Sequence, residues 1–243
     1  WQALSELERN FEVVDIAADA ERIDPDVSLL LMIHPKSASD TLQASIRAFL
    51  MGEGAIIAFV DPLAEMDQAA PSPMTPTLPQ GQASDLNWLT EDWGVALRAE
   101  QILGDAQLAL SVTGQNGAAT RHLGILGLGP TELNPLEVPT ASLESINVAS
   151  AGLIDVFEAK LAVTPLLSSS NYAGGMDAAQ FQFLQDPRDL QKTFVPGSEA
   201  VSIAVSLNGV LPASAVLADP SAGDAPVGIN FILVSDTDLL SDR

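Results

Sequence analysis

Cysteine is absent from this 243-residue chain, which removes thiol nucleophiles, thiolate metal sites and disulfide bridges at once. Histidine is almost as scarce. With only His34 and His122, a histidine-rich zinc site cannot be assembled. Basic residues are few: 10 Lys and Arg stand against 32 Asp and Glu, for a formal charge of -22. A field of that sign repels nucleic acid and anionic membrane surfaces, and no basic cluster offsets it. No apolar run approaches the roughly 18–20 residues needed to span a bilayer. Glycine signatures are missing as well. There is no G-x-S-x-G elbow for a hydrolase nucleophile and no G-x-x-x-x-G-K-[ST] loop for an ATPase. Gly124, Gly127 and Gly129 sit in an apolar stretch closed by Pro130, not before a helix, so they do not make a dinucleotide fingerprint.

Hydrophobic residues make up 47% of the chain, enough for a substantial core, and the length suits one large domain or two small ones. The most informative stretch runs from residue 27 to residue 67. Residues 28–33 (SLLLMI) form a continuous apolar run that stops at His34-Pro35-Lys36. Residues 39–51 then place Leu42, Ile46, Phe49 and Leu50 at helical spacing, with Ser39 and Asp40 as the N-cap signal. Gly52-Glu53-Gly54 breaks that helix, and residues 55–60 (AIIAFV) run apolar up to Asp61-Pro62. Two near-uniformly apolar strands around one helix predict a parallel pair buried on both faces. The polar residues at their ends, His34, Lys36, Asp61 and Glu65, are then expected on one edge, where open α/β sheets bind ligands.

Elsewhere the pattern predicts a helix at 4–11, a strand at 11–16 and a proline-rich loop at 69–82 with Pro71, Pro73, Pro76 and Pro79. A further helix is expected at 85–93 before Gly94. Apolar runs at 102–112, 122–128, 157–167 and 200–211 read as strands. Asn208-Gly209 is read as a tight turn, and 228–234 as the last strand. The expected fold is α/β: a Rossmann-like, mostly parallel sheet flanked by helices, in one domain over 1–243. A β-rich insertion or second half is expected at about 98–210.

Three groups of residues invite chemistry. His34, Lys36, Asp61 and Glu65 combine an imidazole with carboxylates, which suits acid–base work or a divalent ion. Ordinary turn chemistry, with Lys36 paired to Asp61, explains the same residues. Asp236, Asp238 and Asp242 alternate after the last strand but lack the glycine and distal glutamate of a calcium loop, and they fit a helix cap equally well. Ser168, Ser169, Ser170 and Asn171 form a hydroxyl-rich loop suited to an anion or a sugar hydroxyl, or simply a turn. Trp88, Trp93 and Tyr172 would point toward sugar binding if they lined a pocket. No cofactor and no resident metal are expected. A carbohydrate-active or metal-assisted hydrolase using Asp61, Glu65 or Asp236 is the alternative function.

The run HPKSASDTLQASIRAFLMGEGAIIAFVDPLAEMD resembles the extracytoplasmic domain of GldG-like, gliding-motility-type ABC transporter auxiliary proteins. LNWLTEDWGV at 86–95 and NFILVSDTDLLSDR at 230–243 are similar to two later segments of the same family, in family order. The chain departs from the pattern at Glu53, where the family has a second glycine. The resemblance implies a periplasmic, non-enzymatic domain that works with permease and ATPase subunits and binds a partner protein or a ligand such as a glycan. It also implies that this chain, which starts at Trp1 without a leader, is a segment whose flanking membrane helices lie outside it. The family is compared with class I glutamine amidotransferases, whose reaction needs a cysteine; with none here, the scaffold can be shared but not that reaction.

Overall fold

The computed structural model describes residues 2–67, 82–113 and 117–242; the proline-rich segment at 69–82 therefore lies almost wholly outside the described residues. Its first long helix forms where the apolar spacing requires it. Helix α1 is Gln2–Asn10, and α2 is Asp40–Met51, whose N-cap Ser39 accepts a hydrogen bond from the Leu42 N–H at 3.2 Å. Strands β1 (Leu29–Ile33) and β2 (Ala55–Phe59) flank α2 and pair in parallel, Leu29 opposite Ala55 and Ile33 opposite Phe59. The turn between α2 and β2 is tight. A Cβ at Gly54 would lie 2.3 Å from the Phe49 ring, and Glu53, at the point of departure from the family pattern, holds φ 60.

Three short strands and a short helix follow: α3 (Asn87–Thr90), β3 (Val95–Leu97), β4 (Gln101–Asp105) and β5 (Ala109–Thr113). Then come β6 (Ala119–Leu128), β7 (Ile146–Ala149), β8 (Ile154–Val156), β9 (Ala162–Ser168) and β10 (Ala173–Asp177). The chain closes with α4 (Ala179–Gln182), α5 (Leu190–Thr193), β11 (Ser202–Pro212), α6 (Ala213–Leu217) and β12 (Pro226–Val234). The main sheet has the order β1-β2-β12-β11-β8-β3, with β9 also paired to β11. β12 joins β2 in parallel, Phe231 opposite Ile56. From β12 onward every pairing is antiparallel, because the short return through α6 can only bring β12 back alongside β11 in the opposite sense. The result is a mixed α/β sheet with a parallel half, β1-β2-β12. Two smaller sheets, β10-β4 and β5-β6-β7, stand beside it.

Three expectations need correction. Burial of β1 and β2 is one-sided: Leu30, Met32, Ile56 and Ala58 are buried on the α2 face, but Leu29 is 47% exposed, and Leu31, Ile33, Ile57 and Phe59 are half-covered. On that second face α1 is the cover, and none of its residues is buried. Residues 11–16 form no strand. They have no ladder partner, and Phe11, Val13 and Val14 are exposed. Asn208-Gly209 is not a turn: β11 runs through it, with Asn208 opposite Asn230 and Gly209 opposite Ile229. Gly209 adopts φ 150, with Leu161 3.1 Å from where a Cβ would sit, so it marks a close approach inside a strand.

The main core lies between α2, α3, α6 and the sheet. Trp93 packs edge-on against Phe231 at 5.9 Å and 88°, and both are fully buried with Ile46, Leu50 and Leu89.

Candidate functional site at the ends of the parallel strands

Because β1, β2 and β12 run the same way, the residues after each strand collect on one edge of the sheet. His34 follows β1, Asp61 follows β2, and Ser235 to Asp238 follow β12. His34 sits at φ 51, its N–H donating to the Phe59 carbonyl at 2.9 Å. Its Nδ1 is 2.7 Å from the Ser84 hydroxyl, and Nε2 is 3.5 Å from Asp67 Oδ2. Burial, and then the charge of Lys36, hold the imidazole below its ordinary pKa despite Asp67, so at neutral pH this contact is not an ion pair. Lys36 donates to Asp67, not to Asp61. Burial alone would raise the Asp67 carboxyl, but the hydrogen bond and charge of Lys36, with the His34 ring close by, outweigh it and hold the group below the usual range.

Asp61 is turned inward and fully buried, which is why Lys36 does not reach it. Its Oδ1 accepts the Leu63 N–H at 2.8 Å, and Oδ2 accepts both the N–H and the hydroxyl of Thr237, each at 2.8 Å. Ser84 Oγ also accepts the Asp61 N–H at 3.2 Å, linking it to His34. Asp236 is likewise buried and accepts N–H groups from Ala149 and Leu239 at 2.8 and 3.2 Å. Asp238 accepts from Glu65 and Met66 at 2.9 and 3.1 Å. Glu65, in turn, accepts the Ser150 hydroxyl at 2.6 Å.

Asp61, Asp236 and Asp238 therefore form one cluster, with ligand atoms all within 4.8 Å of one another. Burial pushes Asp61 up to about 7, raises Asp236 well above the usual range with the Asp61 charge adding to it, and raises Asp238 less deeply. The spacing suits a divalent cation. All six oxygens, however, already accept protein N–H or O–H groups, and each bond ties a loop to the strand ends. The chemistry this arrangement performs as it stands is to clamp residues 61–66, 149–150 and 236–239 together. Beside it, Glu65, Met66, Asn147, Asp238 and Ser241 line a cavity of about 240 Å³.

The serine loop belongs to a different network. Ser170 donates its N–H and hydroxyl to the buried carboxylate of Asp105, each at 2.8 Å, and Asp105 also accepts from Gln107 and Leu108. Ser169 Oγ accepts the Val201 N–H at 2.8 Å and donates to the Ser170 carbonyl. Ser169 and Ser170 are buried, whereas Asn171 is exposed and Ser168 half-covered. The aromatic residues form no shared platform: Trp93 is core, Trp88 lies under the Arg47 guanidinium at 5.3 Å, and the Tyr172 ring is exposed.

The model of an ABC-type uncharacterized transport system matches residues 1–243. The chain belongs to this family of ABC transporter auxiliary proteins. No curated protein matches the chain. For an auxiliary protein of this family, several contributors to the strand-end edge were not legible in the sequence. Asp67 lay in plain view at the end of the DPLAEMD run but carried no turn or cap signal of its own. Ser84 reaches His34 and Ser150 reaches Glu65 only across long sequence separations, so no local pattern points to those contacts.

Proposed function

We propose that this chain is a non-enzymatic, extracytoplasmic domain of an ABC-type transport system, anchored by membrane helices outside the segment described here. It meets permease or ATPase-bearing partners, or a ligand such as a glycan, at the strand-end edge. The observation that carries this reading is the family match over the whole chain, and with it the use made of the edge carboxylates. Each is committed to holding loops in place, and the open surface left beside them is the Glu65–Asp238 cavity with Lys36 and Asp67 nearby. A GldG-like subtype is the specific form of this proposal, resting on the three ordered sequence segments.

The spacing of Asp61, Asp236 and Asp238 favours one other reading, metal-assisted hydrolysis. Glycoside cleavage is the weaker form of it, since paired carboxyl groups must flank a cleft wide enough for sugar, about 5 Å apart or more. Two of these three are buried. Thermal-shift measurements with glycans, nucleotides and divalent ions separate the readings. The auxiliary role predicts no ATP hydrolysis by the domain alone and no metal-dependent hydrolytic activity. Turnover abolished by Asp236→Asn would favour the enzyme.

A further inference from the structure

Helix α1 lies over the outer face of β1 and β2 without sealing it. Leu4 and Leu7 on the helix side face Leu31, Ile57 and Phe59 on the sheet side across a gap of about 570 Å³, with Leu29 and Phe11 at its mouth. The lining is almost wholly aliphatic and aromatic; Glu6 and Asn10 supply the polar groups at the rim. The gap opens to solvent at Leu4, Leu29 and Phe11, and its apolar walls offer the water there few partners. A nine-residue helix is also too short to hold itself in water, and none of the residues of α1 is buried. The gap falls in the size range of small-molecule sites, roughly 300–1,000 Å³.

We propose that this gap is a binding site for the single aliphatic chain of an amphiphile whose head group is not anionic. The tail is specified by the walls. The head is specified by charge: Glu6 lines the rim, Glu8 and Glu12 are neighbours in sequence, and the chain carries -22 overall, so a carboxylate or sulfate head would be repelled. A bound tail would cover Leu4, Leu29 and Phe11, which are 39%, 47% and 67% exposed, and would give α1 the packing that it lacks. The site is on the opposite face of the sheet from α2 and does not depend on the transport assignment.

The test is displacement of the neutral dye N-phenyl-1-naphthylamine from the whole chain by dodecyl maltoside, dodecyltrimethylammonium and dodecyl sulfate, each below its micelle concentration. Saturable, one-to-one displacement by the first two, with dodecyl sulfate weaker by at least about tenfold, is expected. Leu7→Glu puts a charge into the gap from a helix that buries nothing, so it should weaken displacement at least about tenfold while leaving the unfolding midpoint in place. Leu31→Trp fills the gap from the sheet side and should do the same; if it fails to fold, Leu7→Glu decides. Equal binding of all three head groups, wild-type affinity in Leu7→Glu, or no displacement at all overturns the proposal. So does dye binding that requires a dimer, or displacement only by an amphipathic Leu/Lys peptide, either of which makes the occupant a polypeptide.

Discussion

Burial pushes the Asp61 carboxyl up to about 7 from an ordinary 3.8, so folding changes its titration near neutral pH. Between those values the folded chain holds a proton that the unfolded chain has released, and stability therefore falls as pH rises. The loss is complete once pH passes the folded value, and is at most about 4 kcal/mol for this group. Asp236 and Asp238 are also raised and act in the same sense. Asp67, held below its ordinary value, has the opposite sign and matters only at lower pH, where its contribution is lost as it protonates. Urea unfolding from about pH 5 to about pH 8 should show declining stability, and Asp61→Asn should flatten that slope. A slope unchanged by Asp61→Asn would contradict the buried, protonatable assignment. Asp105 offers a second residue-scale test. Asp105→Ala leaves four donors without their acceptor, the two of Ser170 buried and the N–H groups of Gln107 and Leu108 half-buried, and should cost on the order of 3 kcal/mol in the same assay.

At the scale of elements, β1-α2-β2 carries the local logic most openly. Ser39→Ala removes the side-chain cap of α2 and should cost about 1 kcal/mol. Gly54→Ala drives a methyl into the Phe49 ring and should cost about 1–3 kcal/mol, read as a lowered unfolding midpoint. These elements were legible because apolar period, cap and breaker all agreed in sequence. The parallel pairing of β1 and β2, and the arrival of His34 and Asp61 at one edge, followed from it. Residues 11–16 misled because an apolar, β-branched run needs a partner, and partners are set by tertiary packing. Asn208-Gly209 misled for a related reason: the dipeptide that favours a turn also tolerates the φ 150 of a strand pressed against Leu161. The Asp105–Ser170 and His34–Ser84 bonds join residues 65 and 50 positions apart, so nothing in either neighbourhood announces them.

Over the whole molecule, a sheet that is parallel on one side and antiparallel on the other gives the chain one edge rich in loops. The parallel half delivers three strand ends to that edge, and a set of buried carboxylates fixes the loops there. Charge supplies the rest of the account. With -22 spread over 243 residues, a protein partner at the edge is favoured if it presents basic groups, and association with such a partner should weaken with salt. The most direct measurement of the proposed role is co-purification of the protein, in the membrane-anchored form that role implies, with the permease and ATPase subunits proposed as its partners, comparing wild type with a Lys36→Glu, Glu65→Lys double variant. Both positions are on the edge and neither is buried, so the variant should fold. The account predicts that wild type retains those subunits and that the variant retains at least about tenfold less of them. Equal recovery by both proteins would move the contact elsewhere, and no recovery by wild type would contradict the central claim.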